Sequence, residues 1–355
     1  MTSDEKSNSE YDQPASRYSR QIRFPHLGRS GQEKLAQSTA LIVGCGALGS
    51  VIANTLARAG VGCLKIVDRD FLEKSNLQRQ VLFDESDVEN GLPKAIAAAE
   101  KLRKINSEIK IEPIVADVDA SNIESLCENV DVILDGSDNF EIRFLINDVA
   151  VKHSIPWVYG GCLGADGQTM TILPGETACL NCLMLDGPPL PGTTPTCDSF
   201  GILAPVINVI ASWEANEAIK ILSGNRESVS RKLTAVAMWD NSVSQMDLSN
   251  LREQVDCPTC KQQQFAWLSG ERGSHSAILC GRNAVQLSFP KRETIVLKDL
   301  AERLQDIGRV EVNPYLLRLH VDEFVLTVFP DGRAIVSGTE EIAVARKLYA
   351  QYLGS

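Results

Sequence analysis

The sequence predicts an α/β protein: a mainly parallel sheet with crossover helices, followed by a small α+β module. Three observations predict it. Strand-like and helix-like segments alternate from residue 40 to about 160, the pattern of a parallel sheet with crossover connections. The apolar run Leu41-Ile42-Val43 ends in Gly44, Gly46 and Gly49, spaced G-x-G-x-x-G, and then passes into a helical pattern. Beyond the Gln262–Gln264 run, read as a linker, the chain turns to short strands around Pro330-Asp-Gly332, a hairpin signal.

In order, strands are expected at 40–43, 63–67, 110–115, 131–135, 156–160 and 167–173. Helices are expected at 50–59, 93–105, 121–128 and 140–152, the third opened by a capping box at Ser121–Glu124. The Pro- and Gly-rich stretch 187–196 is expected to run over the surface, since proline cannot join the interior of a sheet or helix. A long helix over 202–222, strands at 232–239 and 243–248, and Cys257 follow. The tail reads as strand 277–288, helix 297–306, strands 315–320, 323–329 and 333–336, and helix 340–353. The expected domains are a disordered lead-in over 1–15, a nucleotide-binding domain with a metal site over 16–261, and a small α+β domain over 265–355.

Bulk properties exclude several function classes. With 355 residues, 44% of them hydrophobic, the chain can bury a sizeable core. A formal net charge of −11 argues against nucleic acid as a partner, because neutralising phosphates takes a basic surface. No apolar run nears the ~18 residues that span a bilayer, and the first residues lack the order of a secretory signal. A cytoplasmic protein is expected, where ten cysteines would not build a disulfide framework.

Spacing gives four of them a purpose. Cys179-x-x-Cys182 and Cys257-x-x-Cys260 make two C-x-x-C pairs, the number and type of ligands of a closed structural zinc site. Unrelated buried cysteines, or a redox pair, are the alternatives. With no open coordination position, Zn²⁺ would stabilise and not catalyse.

The glycine turn admits NAD, FAD or ATP, since all carry phosphates that approach a helix N-terminus. Asp68 at the end of the second strand suits a ribose hydroxyl in NAD and ATP alike. The choice comes from what surrounds it. Asn76-Leu-Gln-Arg79-Gln80 and Pro93-Lys94 bring an arginine and a lysine, enough cation for a triphosphate. Asp138, in Asp135-Gly-Ser-Asp-Asn139 at a strand end, is a candidate Mg²⁺ ligand. Singly, each has a plain structural alternative: a solvated charge, a helix N-cap, a turn residue. Together around one phosphate loop they point to ATP.

These stretches, with Arg17-Tyr-Ser-Arg20-Gln-Ile, Asp68-Arg-Asp70, the four cysteines, Cys197 and Glu217-Ala-Ile-Lys-Ile-Leu222, resemble the MoeB/ThiF family of ubiquitin-activating-like adenylyltransferases over residues 15 to 261. The resemblance implies a doubly wound, Rossmann-like (ubiquitin-activating-like) domain and a homodimer. It implies that Asp68 holds the ATP ribose, that Asn76, Arg79, Gln80 and Lys94 contact phosphates, and that Asp138 binds Mg²⁺. Arg20 would reach the phosphates from the partner protomer. The substrate would be a ubiquitin-like sulfur-carrier protein ending in Gly-Gly, for molybdopterin or thiamine biosynthesis.

Cys197 stands just before the long helix, where a helix dipole lowers a thiol pKa, and the resemblance implies a thioester or persulfide link there. A loop cysteine without chemistry is the alternative. Cys45, Cys63, Cys127, Cys162 and Cys280 read as structural. The tail is short for the sulfurtransferase domain that ends some members of that family and shows no glycine-rich loop cradling a catalytic cysteine, so sulfur would come from a separate donor protein. Competing readings are a tRNA threonylcarbamoyladenosine dehydratase, an NAD-dependent dehydrogenase, and a catalytically inactive scaffold that binds a ubiquitin-like protein.

Overall fold

The computed structural model describes residues 17–185, 187–188, 200–272, 276–279, 283–287 and 295–353. The chain divides into a unit ending at Arg272 and a unit beginning at Gly273. In the first, strands β1 (Thr39–Val43), β2 (Cys63–Val67), β3 (Lys110–Ile114), β4 (Val132–Asp135), β5 (Trp157–Leu163), β6 (Asp166–Ile172), β7 (Lys232–Ala237) and β8 (Ser242–Asp247) form one sheet. Their order is β3-β2-β1-β4-β5-β6-β7-β8. The first five strands run parallel, and β6, β7 and β8 extend the sheet antiparallel. Helices α1 (Gly28–Gln37), α2 (Ala47–Ala59), α3 (Lys94–Ile105), α4 (Phe140–His153) and α5 (Ala204–Leu222) accompany it.

Strand β1 is apolar and buried from Ala40 to Val43 because both faces of the sheet are covered. Alternation sends Ile42 to one face, against Ile52 and Leu56 of α2 and Ile207 and Ile210 of α5. Leu41 and Val43 face the other core, with Phe144 and Val149 of α4 and Trp157. Helix α2 begins before its expected start, at Ala47, and ends on Gly60, whose φ of +82° suits glycine.

Two local expectations fail. The helix over 121–128 shrinks to one turn, Ile123–Leu126, without the Ser121–Glu124 capping box. Asp119 and Asn122 take over instead: Asp119 accepts the Ser121 N–H at 2.9 Å and Asn122 accepts the Asp119 N–H at 3.0 Å. Glu124 pairs with Lys152 at 2.9 Å. The Gln262–Gln264 run, read as a linker, winds onto the preceding turn, the Gln262 and Gln263 N–H groups bonding Cys257 O and Thr259 O at 3.2 and 3.1 Å.

The second unit holds β9 (Ser276–Leu279), β10 (Ala284–Leu287), β11 (Arg309–Val312), β12 (Leu317–Val321), β13 (Phe324–Val328) and β14 (Ala334–Ser337), with helices α6 (Leu297–Leu304) and α7 (Ile342–Tyr352). The sheet is antiparallel, in the order β11-β12-β13-β14-β10-β9. Leu297, Leu300 and Leu304 line one face of α6 and pack with Val285, Leu319, Leu326 and Val336. The single strand expected at 277–288 is two, paired as a hairpin, with Asn283 at φ +44°. Cys280 lies outside the described residues. Among the described residues no helix is long and apolar enough to cross a membrane.

Candidate functional site

Strand β1 pairs with β2 on one side and β4 on the other, so the strand order reverses between β1 and β4. At such a reversal the connections from the two carboxyl ends leave in opposite directions and open a crevice, the usual ligand site in doubly wound sheets. Three glycines close its floor. A Cβ on Gly44, which has φ +91°, would lie 2.6 Å from Gly136 O. One on Gly49 would lie 1.9 Å from Gly44 O, and one on Gly136 2.2 Å from the same oxygen. Three backbone segments therefore touch where no side chain fits. Gly46 serves differently: it is the N-cap of α2, no side chain caps the helix, and a Cβ there would meet only Gln80 Nε2, at 3.8 Å. The first-turn N–H groups of α2 are left for an anion.

Acids brace this turn. Asp68, at the end of β2, accepts the Cys45 N–H and the Asp70 N–H, each at 2.6 Å. Burial pushes its carboxyl above the usual range while the nearby Lys94 ammonium pulls the other way. Lys94, first residue of α3, is buried; its Nζ sits 3.0 Å from Asp70 Oδ2 and its N–H bonds Asp70 O at 2.9 Å. A chain of contacts ties Lys94 to the glycine turn: it pairs with Asp70, whose N–H bonds Asp68, which in turn accepts the Cys45 N–H. Arg69, next to Asp70, holds Asp117 at 2.8 Å.

The Asn76–Gln80 segment supplies a second wall. Asn76 is buried and its Oδ1 accepts the Glu73 N–H at 3.0 Å, fixing the short turn at Lys74–Asn76. Arg79 donates to Ser75 O at 2.9 Å and has no carboxylate partner among the described residues. Gln80 is buried, and its Oε1 has no hydrogen-bond partner among them. On the opposite lip, Asp138 is exposed, with Asn139 Nδ2 at 3.5 Å as its recorded partner. Behind it Asp135 is fully buried, accepting Arg143 Nε at 2.9 Å and the Ser137 N–H at 2.9 Å.

The structure thus brings Gly44, Gly46, Gly49, Asp68, Gln80, Lys94 and Asp138 around one crevice, with Asn76 and Arg79 in the short segment that leads to Gln80. It does not bring Arg20 there. Arg20 is exposed on the turn Ser19–Ile22, whose neighbour Gln21 donates to Ala59 O at 2.8 Å. That is the C-terminal end of α2, roughly 20 Å along the helix axis from the glycine turn. Cys197 lies outside the described residues. Sequence reasoning quoted Asp70 and Gly136 within motifs but gave them no role, and it did not single out Arg143 or Glu214. Gly136 had a signal, a glycine directly after a strand-end aspartate. Glu214 had none: in the middle of α5 it is fully buried, both its oxygens are without partners among the described residues, and burial holds its carboxyl well above the usual range.

The four cysteines converge. Sγ separations are 3.8 Å for Cys179–Cys182, 3.6 Å for Cys179–Cys257 and 3.5 Å for Cys182–Cys260, and all four sulfurs lie within 4.8 Å of one another. Thiolates about 2.3 Å from a central Zn²⁺ stand about 3.8 Å apart along a tetrahedron's edges, whereas a disulfide needs about 2.05 Å. The set fits a closed four-thiolate zinc site. Helix α4 seats it: Asn147 Oδ1 accepts the Leu180 N–H at 2.9 Å, and Asp148 accepts Thr259 Oγ1 at 3.4 Å and the Trp267 N–H at 2.9 Å. The other free cysteines described, Cys45, Cys63, Cys127 and Cys162, are buried or half-buried. Burial pushes the Cys127 thiol up to about 12.

A crevice at a strand-order reversal, in the same unit as a four-cysteine cluster that could hold a metal ion, defines a class of doubly wound α/β proteins. The ThiF family model matches residues 18–259, and the chain belongs to the ThiF family. It is 43% identical to the sulfur carrier protein ThiS adenylyltransferase of Bacillus subtilis, over 95% of this chain and 99% of that one. It is 38% identical to the SAMP-activating enzyme E1 of Haloferax volcanii, over 69% of this chain and 88% of that one. Among solved structures, Escherichia coli MccB with MccA-N7isoASN superposes with a TM-score of 0.61 at 26% identity, covering 71% of this chain and 76% of that chain.

Proposed function

We propose that the chain is an ATP-dependent adenylyltransferase that joins AMP to the C-terminal glycine carboxylate of a ubiquitin-like sulfur-carrier protein and releases pyrophosphate. The observation that carries this reading is the crevice itself: glycine backbone and an uncapped helix N-terminus at its floor, with the buried Lys94 beside it and Arg79 in the segment that leads to Gln80. A hydride-transfer enzyme has no use for that cation set. The likeness to a ThiS adenylyltransferase over nearly the full length supports the carrier as substrate. The thiamine and molybdenum-cofactor pathways are the settings, and the cytoplasm is the compartment.

The chemistry follows from charge. A carboxylate oxygen forms a bond to the α-phosphorus as the bond from that phosphorus to the leaving pyrophosphate oxygen breaks. The nucleophile is already ionised at neutral pH, so no general base is required. Two anions must meet, and Lys94, Arg79 and the α2 N-terminus offset their repulsion and the charge that grows on pyrophosphate. Asp68 holds the ribose, and Asn76 and Gln80 contact phosphates. Asp138, an exposed carboxylate on the crevice lip, fits a hard divalent cation, and Mg²⁺ there would neutralise phosphate charge. The four cysteines hold Zn²⁺ and keep α4 in place.

Arg20 acts in the site of a second protomer. Since it sits at the C-terminal end of its own α2, a two-fold axis that delivers it to the partner's glycine turn sets the two α2 helices antiparallel. A homodimer with shared sites follows. Cys197 is the residue for a covalent link to the carrier, and a separate protein donates the sulfur.

ATP–pyrophosphate exchange, with and without each Gly-Gly-ended carrier of the same organism, tests this reading. Exchange that requires one carrier supports it and identifies the pathway. No exchange with any carrier, despite ATP binding and full zinc content, sinks it.

A further inference from the structure

We propose that Arg143 is a positioning residue of the crevice: it holds the loop from Asp135 to Asp138 in the shape that presents the Asp138 carboxylate to a nucleotide-bound divalent cation. The inference rests on the role given to Asp138 above. Arg143 belongs to the first turns of α4 and is buried, so it reaches no ligand itself. Its guanidinium binds three separate pieces of chain: Asp135 Oδ2 at 2.9 Å through Nε, and Ser137 O and Gly160 O at 3.1 and 3.0 Å through Nη2. The Phe140 and Tyr159 rings flank it, with centroids at 5.4 and 5.3 Å.

The loop has little other freedom. The second Asp135 oxygen accepts both the Ser137 N–H at 2.9 Å and the Ser137 hydroxyl at 2.6 Å. Gly136 lies against Gly44 O so closely that a Cβ would approach to 2.2 Å. Asn139 Oδ1 caps α4 by accepting the Ile142 N–H at 3.0 Å. Asp138 is the one acidic side chain in this stretch left facing outward, and its charge bears on Arg143 and Arg69. A planar fork that grips two carbonyls and a carboxylate at once fixes an angle; a lysine in its place would keep the charge and lose the fork.

The test is Mn²⁺ binding, followed by electron paramagnetic resonance, in the presence of the non-hydrolysable analogue AMPCPP, with AMPCPP affinity in EDTA measured alongside. Wild type, Arg143→Lys, Asp138→Ala and the double variant are compared, each checked for zinc content and thermal midpoint. The conservative lysine keeps the buried charge, so the comparison does not depend on a chain that fails to fold. Arg143→Lys is expected to weaken Mn²⁺ binding about tenfold or more, as outer partners of metal ligands do, with AMPCPP affinity in EDTA nearly unchanged. The double variant should bind Mn²⁺ no worse than Asp138→Ala. Wild-type Mn²⁺ affinity in Arg143→Lys overturns the proposal, as does an equal loss of AMPCPP affinity in EDTA or an additive double variant. If Asp138→Ala itself leaves Mn²⁺ affinity unchanged, the role of Asp138 falls first.

Discussion

The crevice and the four-cysteine cluster share one unit and one helix, yet they are built in opposite ways. At the crevice the contacts are made by absence: Gly44, Gly49 and Gly136 bring backbone to backbone, and the side chains that matter are held back by acids, as Asp70 holds Lys94. At the cluster the side chains are the structure, and four sulfurs occupy the corners of a small tetrahedron. The first kind of site fails when an atom is added, the second when one is removed. Helix α4 joins them, carrying Arg143 near its start and Asn147 and Asp148 under the cysteines. Whether the two sites are coupled through that helix is open to direct attack.

The largest effect is expected from Cys257→Ser. A closed zinc site contributes its binding energy to folding. Loss of one thiolate should cut zinc content well below one ion per chain and lower stability by on the order of several kcal/mol. Metal analysis and thermal denaturation check both, and unchanged zinc content with an unchanged midpoint would remove the cluster from the metal sites.

Next is Gly49→Ala. The added methyl would lie 1.9 Å from Gly44 O, backbone that cannot step aside. ATP affinity should fall by about a thousandfold or more, ~4 kcal/mol, with zinc content at the wild-type level. Gly46→Ala is the matched control for packing, since its Cβ would meet only a glutamine side chain at 3.8 Å, so its thermal midpoint should fall much less than that of Gly49→Ala. Equal falls in thermal denaturation would refute the distinction between the two glycines.

Lys94→Ala tests the crevice without adding an atom. On the proposed mechanism, removing this charge should lower carrier-dependent exchange by roughly 100-fold. Carrier binding should persist, because Lys94 is buried and offers a partner protein no surface. Exchange within twofold of wild type would take Lys94 out of the reaction.

Much of the crevice was legible because it is local. A strand, three glycines and a helix occupy one short stretch, so spacing alone displays them. The cysteines were legible for another reason: two pairs far apart in the chain still advertise a ligand count. What escaped notice were long-range contacts. Gly136 is just a turn residue until β4 lies beside β1, and Asp70 is just an acid until Pro93-Lys94 folds over it. The strand β11 alternates weakly, with exposed Arg309 and Val312 at its ends, and gave no period to read. The capping box at Ser121–Glu124 had the right letters, but Asp119 offered its neighbours a shorter reach.

Glu214 is the case where sequence says least and structure most, and its replacement should disturb both sites least. Its carboxyl, on α5, lies against the backbone of Gly160, where a Cβ would come within 2.0 Å of Oε1. Burial is the main cause that holds it well above the ordinary 4.5, the Asp135 carboxylate adding to the rise and the Arg143 guanidinium opposing it. A carboxyl whose folded-state pKa exceeds its unfolded value binds more protons when folded, so it withdraws stability as pH climbs from the unfolded value through the raised one. The full penalty stands above that higher value. Glu214→Gln keeps the shape and removes the titration. Urea midpoints should therefore fall less between pH 5 and pH 8 in the variant, by no more than about 1.4 kcal/mol per pH unit, the work of one proton. Exchange rate and zinc content should match wild type. A variant with the wild-type pH slope would mean that Glu214 is already ionised in the folded protein, and that a partner for its charge lies within reach of α5.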